Sequence, residues 1–91
     1  MPIPTNISRD HIIKAISRIN NEGVPKARNY RIWAMKQTNK LYPCKLIISW
    51  ANSFANSEEL ESNLFIAHEA NDYLTKFGFT VINLRNEKIW K

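Results

Sequence analysis

The chain is short of most of what specialised sites are built from. Its 91 residues include one cysteine, Cys44, and two glycines, Gly23 and Gly78. A single cysteine excludes an internal disulfide framework and fits a reducing, cytoplasmic setting. Two glycines cannot make a glycine-rich phosphate loop, and each follows a helix-like stretch that it is placed to stop. No apolar run approaches the length of a membrane helix, so no membrane partner is expected, and Met1-Pro2-Ile3-Pro4-Thr5 has no signal-peptide pattern. Without an export signal, the sequon Asn6-Ile7-Ser8 reads as chance.

The most informative absence is of negative charge. Between Glu22 and Glu58 there is no acidic residue, yet Lys26, Arg28, Arg31, Lys36, Lys40 and Lys45 all fall there, interleaved with Tyr30, Trp33, Tyr42 and Trp50. Residues 1–45 hold nine basic and two acidic side chains, and residues 46–91 hold four and six. The net charge of +5 therefore belongs to one half of the chain. Such a stretch suits a polyanion, because each Lys or Arg can neutralise a phosphate and release its counterions. An ordinary solvated basic surface is the competing reading.

What is present is enough for one small folded domain over residues 1–91, with 44% apolar residues and no repeat or low-complexity tract. Residues 1–6 read as an extended lead-in. Ser8 is placed to cap a helix, with Ile7 and Ile12 as a hydrophobic staple and Ile12, Ile13, Ile16 and Ile19 at helical spacing. Gly23 should end that helix as a left-handed residue, with Val24 packed back on Ile19 in a Schellman motif. Tyr30 to Tyr42 reads as a hairpin with its turn at Gln37-Thr38-Asn39-Lys40, where Asn39 tolerates positive φ. Pro43 suits the first turn of a helix better than a paired strand. The run from Lys45 through Ile47, Ile48, Ala51, Phe54 and Ala55 predicts a buried helix, and residues 56–61 a polar loop. A third helix is predicted from Ile66 to Phe77, with Ile66, Ala70, Tyr73, Leu74 and Phe77 on one face. Gly78 stops it, and Phe79 to Leu84 predicts a strand, central because it is nearly all apolar. Arg85 to Lys91 reads as a polar tail carrying Ile89 and Trp90. The expected fold is α+β in the order α-β-β-α-α-β, with helices packed on a short sheet.

Catalytic patterns are missing. His68-Glu69 begins like a zinc-protease helix, but Asp72 stands where the second histidine belongs. His11 has no partner set, Cys44 reads as a small buried thiol, and the acids lack the spacing of a metal nuclease. The chain by itself is expected not to be an enzyme and to use no metal or cofactor.

The block Tyr42-Pro43-Cys44-Lys45, the strand opening Arg28-Asn29-Tyr30, Phe65 ahead of the last helix, and Phe77-Gly78-Phe79-Thr80-Val81 form a recognisable series. It resembles the N-terminal head domain of McrA-type, modification-dependent HNH restriction endonucleases, over residues 8 to 84. This sequence departs from the family pattern in three places: Asn39 replaces a turn glycine, Cys44 a second proline, and Ile66-Ala67-His68 a Ser-Gly-Gly segment. The resemblance implies a non-catalytic module that binds double-stranded DNA in a restriction or defence system. It would be the N-terminal part of a longer protein, with the nuclease in another domain or subunit.

The residues expected to contact nucleic acid, mainly at phosphates, are Lys26, Arg28, Arg31, Lys36, Lys40, Tyr42 and Lys45. Lys45 leads, because it falls in a first helical turn where backbone N–H groups also favour an anion. Tyr42, Trp33 and Trp50 can equally be packing residues, with Trp33, Ile47 and Phe54 inside. Lys14 and Arg18 extend the patch only if the first helix lies beside the hairpin. A protein-interaction module docking an acidic partner surface is the alternative, favoured by an exposed Trp50 or Ile89-Trp90. Single-stranded RNA binding through the aromatics would need Tyr30, Trp33 or Tyr42 to be exposed together.

Overall fold

The computed structural model describes residues 3–29 and 32–90. Tyr30 and Arg31 lie outside the described residues, and so do Met1, Pro2 and Lys91. The fold is α+β in the order α-β-β-α-α-β: α1 (Arg9–Glu22), β1 (Trp33–Gln37), β2 (Lys40–Pro43), α2 (Cys44–Asn56), α3 (Ala67–Lys76) and β3 (Thr80–Asn83). Short 3₁₀ turns at Lys26–Arg28 and Ser62–Leu64 join them.

Helix α1 starts as its sequence dictates. The Ser8 hydroxyl accepts from the His11 N–H, and His11 Nδ1 accepts from the Ser8 N–H at 2.9 Å, so a histidine closes the capping box usually closed by Glu or Gln. Ile7 and Ile12 are both buried, as a staple requires. At the other end Gly23 has φ +81 and ψ 174, and its N–H bonds Ile19 O. This extended ψ replaces the expected Schellman motif, while Val24 still packs against the core. The Schellman motif is found instead at α3, where Phe79 N–H reaches Leu74 O and Gly78 N–H reaches Thr75 O. Gly78 (φ +88) takes the left-handed position there. The Arg9 guanidinium completes that end by donating to the Phe77 carbonyl.

The three strands form one antiparallel sheet in the order β2-β1-β3. The hairpin turn holds Thr38 (φ +51) and Asn39 (φ +62), a pair of positive values that a two-residue turn needs to match strand twist. Asn39 was expected to carry this, but the β-branched Thr38 does so as well. The central strand is β1 and not β3. The apolar character of β3 has another cause: its free edge is covered by the chain's end, where Asn83 N–H bonds Lys88 O and Trp90 N–H bonds Val81 O. Arg85–Trp90 is therefore a folded-back segment and not a free tail. Trp90 packs edge-on to Trp33 at 4.9 Å and donates from Nε1 to Asp72 Oδ1.

Register separates the two sheet faces. Met35, Tyr42 and Val81 are cross-strand neighbours and all buried, facing the helices. Lys36, Leu41 and Thr80 form the next row and are exposed. α2 and α3 pack on the inner face and α1 packs along α2. Leu46, Ile47, Ile48 and Ala51 lie at the centre. The N-terminal lead-in belongs to the same core: Ile3 is buried, and the Tyr73 hydroxyl donates to Pro4 O and Ile7 O.

Three expected core residues lie outside it, and the first of them, Ile13, is 43% exposed. Phe54 is 42% exposed, because it comes out beside the polar outer side of α1, next to Lys14, Arg18 and Glu22. Ile66 is 60% exposed, because it is the N-cap of α3 and not part of its buried face. An aliphatic N-cap offers the helix no side-chain acceptor, a loss of ~1 kcal/mol relative to Ser or Asp. Glu69 compensates in part, its Oε1 accepting from the Ile66 N–H at 2.9 Å.

One core position conflicts with its surroundings. Asn71 is fully buried in α3, and neither its Oδ1 nor its Nδ2 finds a partner. Asn71→Leu, of similar shape, is expected to raise the unfolding free energy by ~1–2 kcal/mol in urea titrations. A loss of stability would show that the amide is satisfied.

Candidate nucleic-acid interface

The site forms because β2 passes into α2 with no intervening loop. Pro43 ends the strand, paired with Ala34, and is also the N-cap of α2 (φ −66, ψ 121). It was expected in the first helical turn, but β2 is an edge strand, so the missing N–H removes no ladder bond. Proline has no side-chain acceptor, so the first N–H groups of α2 receive no side-chain cap. Ala67, the first residue of α3, comes up beside this turn.

Between them lies a cleft of about 390 Å³ bordered by Arg28, Lys45, Ser62, Trp33, Cys44 and Ala67, and by no acidic residue among those described. The cations are held from below. Arg28 donates to the buried Ser49 hydroxyl at 2.8 Å. Lys45 Nζ donates to Ser62 O at 2.5 Å and stands 4.9 Å above the ring of Phe65. Each has donors left over. Lys45 is held below the ordinary lysine pKa, first by desolvation and then by the positive charge of Arg28, with Glu69 opposing both. Two like charges thus share a partly dry cleft. Among the described residues neither is in an ion pair; the ion pairs found there are those of Arg18 with Glu22 (3.2 Å) and Glu59 (3.6 Å).

The remaining expected residues are distributed unevenly. Lys26 is exposed on the same 3₁₀ turn as Arg28. Lys36 and Lys40 are exposed at the turn end of the hairpin, ~10 Å of strand away from Pro43. They also project to opposite faces, since Lys36 pairs with Leu41 and Lys40 with Gln37. Tyr42 is not on the surface: it is 3% exposed, and its hydroxyl donates to Asn20 Oδ1 at 2.8 Å, fastening β2 to α1. Arg31 lies outside the described residues. Arg18 is neutralised by its two glutamates and stacks on Trp50 at 3.8 Å, which removes it from an extended patch.

Sequence reasoning missed how Lys45 is anchored, because Ser62 and Phe65 lie far along the chain and carry no charge. It also missed Leu64 and Ile66, exposed on the same segment. Trp50 is buried and donates to Glu59, so it offers no docking surface, whereas Ile89 is exposed and Trp90 half-buried. Of the three aromatics on which single-stranded RNA binding would draw, Tyr42 is buried, Trp33 is half-buried and Tyr30 lies outside the described residues. His68 is exposed beside Trp90, 4.8 Å between rings. No group of three or more His, Cys, Asp or Glu side chains among the described residues could hold a metal ion. No helix among them is long and apolar enough to cross a membrane.

No family model matches the chain, and neither a curated protein nor a solved structure matches it.

Cys44 borders the cleft but is shielded. Burial pushes its thiol up to about 12, outweighing the opposing effect of its backbone hydrogen bond. At neutral or mildly alkaline pH the thiolate is scarce, so Ellman's reagent is expected to label Cys44 only after unfolding. Rapid labelling of the folded protein would show that the first turn of α2 opens.

Proposed function

We propose that this chain is a non-catalytic module that binds double-stranded DNA, mainly through phosphates, as part of a cytoplasmic restriction or defence system. The observation that carries the reading is the pair Arg28 and Lys45, neither in an ion pair among the described residues, lining a cleft with no acidic residue in its wall at the uncapped start of α2. A phosphate there would offset the desolvation and the Arg28 repulsion that depress Lys45 and would meet donors already in place. Lys26 continues the patch on one side. Lys36 and Lys40 would meet phosphates at a distance from the cleft, as a duplex backbone can supply. The resemblance of Tyr42-Pro43-Cys44-Lys45 and Phe77-Gly78-Phe79 to the McrA-type head domain favours duplex DNA over other polyanions. In that setting the nuclease belongs to another domain or subunit.

Four to six phosphate contacts give a log–log salt slope of roughly −4 to −5, measured by fluorescence anisotropy on a short duplex. Arg28→Ala and Lys45→Ala are each expected to weaken all duplex sequences alike and to make the slope shallower by about one unit. A flat salt dependence, or no duplex binding at low salt, would sink the reading.

Lys45 also sets a pH signature. The free protein disfavours its charged form, whereas a bound phosphate favours it, so binding raises its pKa. Affinity is full where Lys45 is charged in both states. It falls as pH rises through the free-state value, which lies below the ordinary 10.5, and binding there takes up a proton. Lys45→Arg keeps its charge throughout that range and is expected to flatten the decline. An identical decline in the arginine variant would remove Lys45 from the contact.

The protein-docking alternative keeps one specific support, the exposed Ile89 beside half-buried Trp90. A sizing column run with and without duplex separates the two readings.

A further inference from the structure

We infer that Leu64 and Ile66 form an apolar wedge that enters a DNA duplex at a base step beside the phosphate held by Arg28 and Lys45. This rests on the duplex-binding reading and adds to it a contact with the bases.

The two side chains are 53% and 60% exposed, among the most open large aliphatic residues of the chain. Their position is fixed by the residue between them. Phe65 is buried in an extended backbone (φ −151, ψ 162), its ring under the Lys45 ammonium, while Leu64 before it and Ile66 after it stay exposed. The segment is held at both ends as well: Ser62 O receives Lys45 Nζ, and the Ile66 N–H is bound by Glu69. Ser62 and Ala67, on either side of the pair in sequence, both border the cleft. The wedge therefore stands on the cleft's rim.

Charge and shape point to one occupant. A partner that seats beside Arg28 and Lys45 is favoured by an anion, the Glu69 carboxylate being engaged with the Ile66 N–H, and one that covers Leu64 and Ile66 must bring apolar surface next to it. A nucleic-acid backbone does both, since each phosphate is flanked by sugars and base edges. Aliphatic side chains cannot stack on bases as aromatics do; they act by insertion at a step of a duplex, as apolar wedges of minor-groove proteins do. Ile66 also occupies an N-cap position where a polar residue would serve the helix better, a local mismatch of the sort found at functional positions.

A wedge must unstack a base step, so it gains when the step is already weakened. The test compares a matched duplex with one carrying a central mismatch, titrated by anisotropy at several salt concentrations. Wild-type protein is expected to bind the mismatched duplex about five- to tenfold tighter, because less unstacking is required. The Leu64→Ser/Ile66→Ser double variant is expected to lose that preference while keeping the salt slope, which shows the cleft intact. Both positions are exposed, and far-UV circular dichroism checks the fold. Equal wild-type affinity for the two duplexes, with a steep salt slope, would overturn the wedge and leave the phosphate reading standing. A preference that persists in the double variant would also overturn it. An unchanged affinity of the variant for both duplexes would assign the pair to a protein partner instead. Absence of any duplex binding would overturn wedge and phosphate reading together.

Discussion

Pro43 belongs to two elements at once, and the geometry of the cleft follows from that. It closes an edge strand and, with its fixed φ, begins α2 in the next step. With no linker, the helix axis is aimed by the sheet, and its first turn is left without a side-chain cap at the sheet's end. The fully buried α2 residues Leu46, Ile47 and Ile48 lock that direction by packing between α1, the sheet and α3. Lys45 lies among these apolar residues and is directed outward, against Phe65 and Ser62. A flexible connection at this point would let the lysine swing away from Arg28. The direct junction keeps two like charges together.

The charges of the chain are sorted by what surrounds them more than by where they fall in sequence. Arg18 comes from the basic half yet is neutralised, because Trp50 and two glutamates enclose it. Arg28, ten residues on, rests on a neutral hydroxyl and keeps its charge available. The acidic half contributes through Glu69, which is engaged at the α3 terminus, and Glu59, which is engaged with Trp50 and Arg18. Negative charge is thereby drawn to structural contacts around the cleft and kept off its lining.

Much of the fold could be read from the sequence because its signals are local. The Ser8 cap with its staple, the Asn39 turn, the Gly78-Phe79 stop and the order α-β-β-α-α-β each depend on a few neighbouring residues. The errors share a cause: they concern partners distant in the chain. β3 looked central because its apolar residues had no visible cover, and the cover is the chain's own end. Phe54 had the right helical spacing, but spacing cannot say that it comes out beside the polar residues Lys14, Arg18 and Glu22 of α1. Tyr42 was open between surface and core, and Asn20, which decides it, is 22 positions away. The candidate site was legible as a set of charges and not as a place. Burial of Phe65 and the carbonyl of Ser62 select Lys45 and Arg28 from that set.

The return of residues 88–90 along β3 bears on self-association. A three-stranded sheet offers two edges, each a row of open backbone groups that a second chain can extend. Here one is occupied by the segment around Ile89, bridged to Ile82, and the other is β2, a strand of four residues ending in proline and beginning with lysine. The Trp90 indole, fixed by Asp72 and Trp33, keeps the first edge closed. A fragment cut at Leu84, where the family-like pattern ends, would keep every helix and strand yet carry an open β3 edge lined by Val81 and Ile82. Such a fragment would tend toward strand-to-strand aggregation, so the last few residues act as a guard on the sheet.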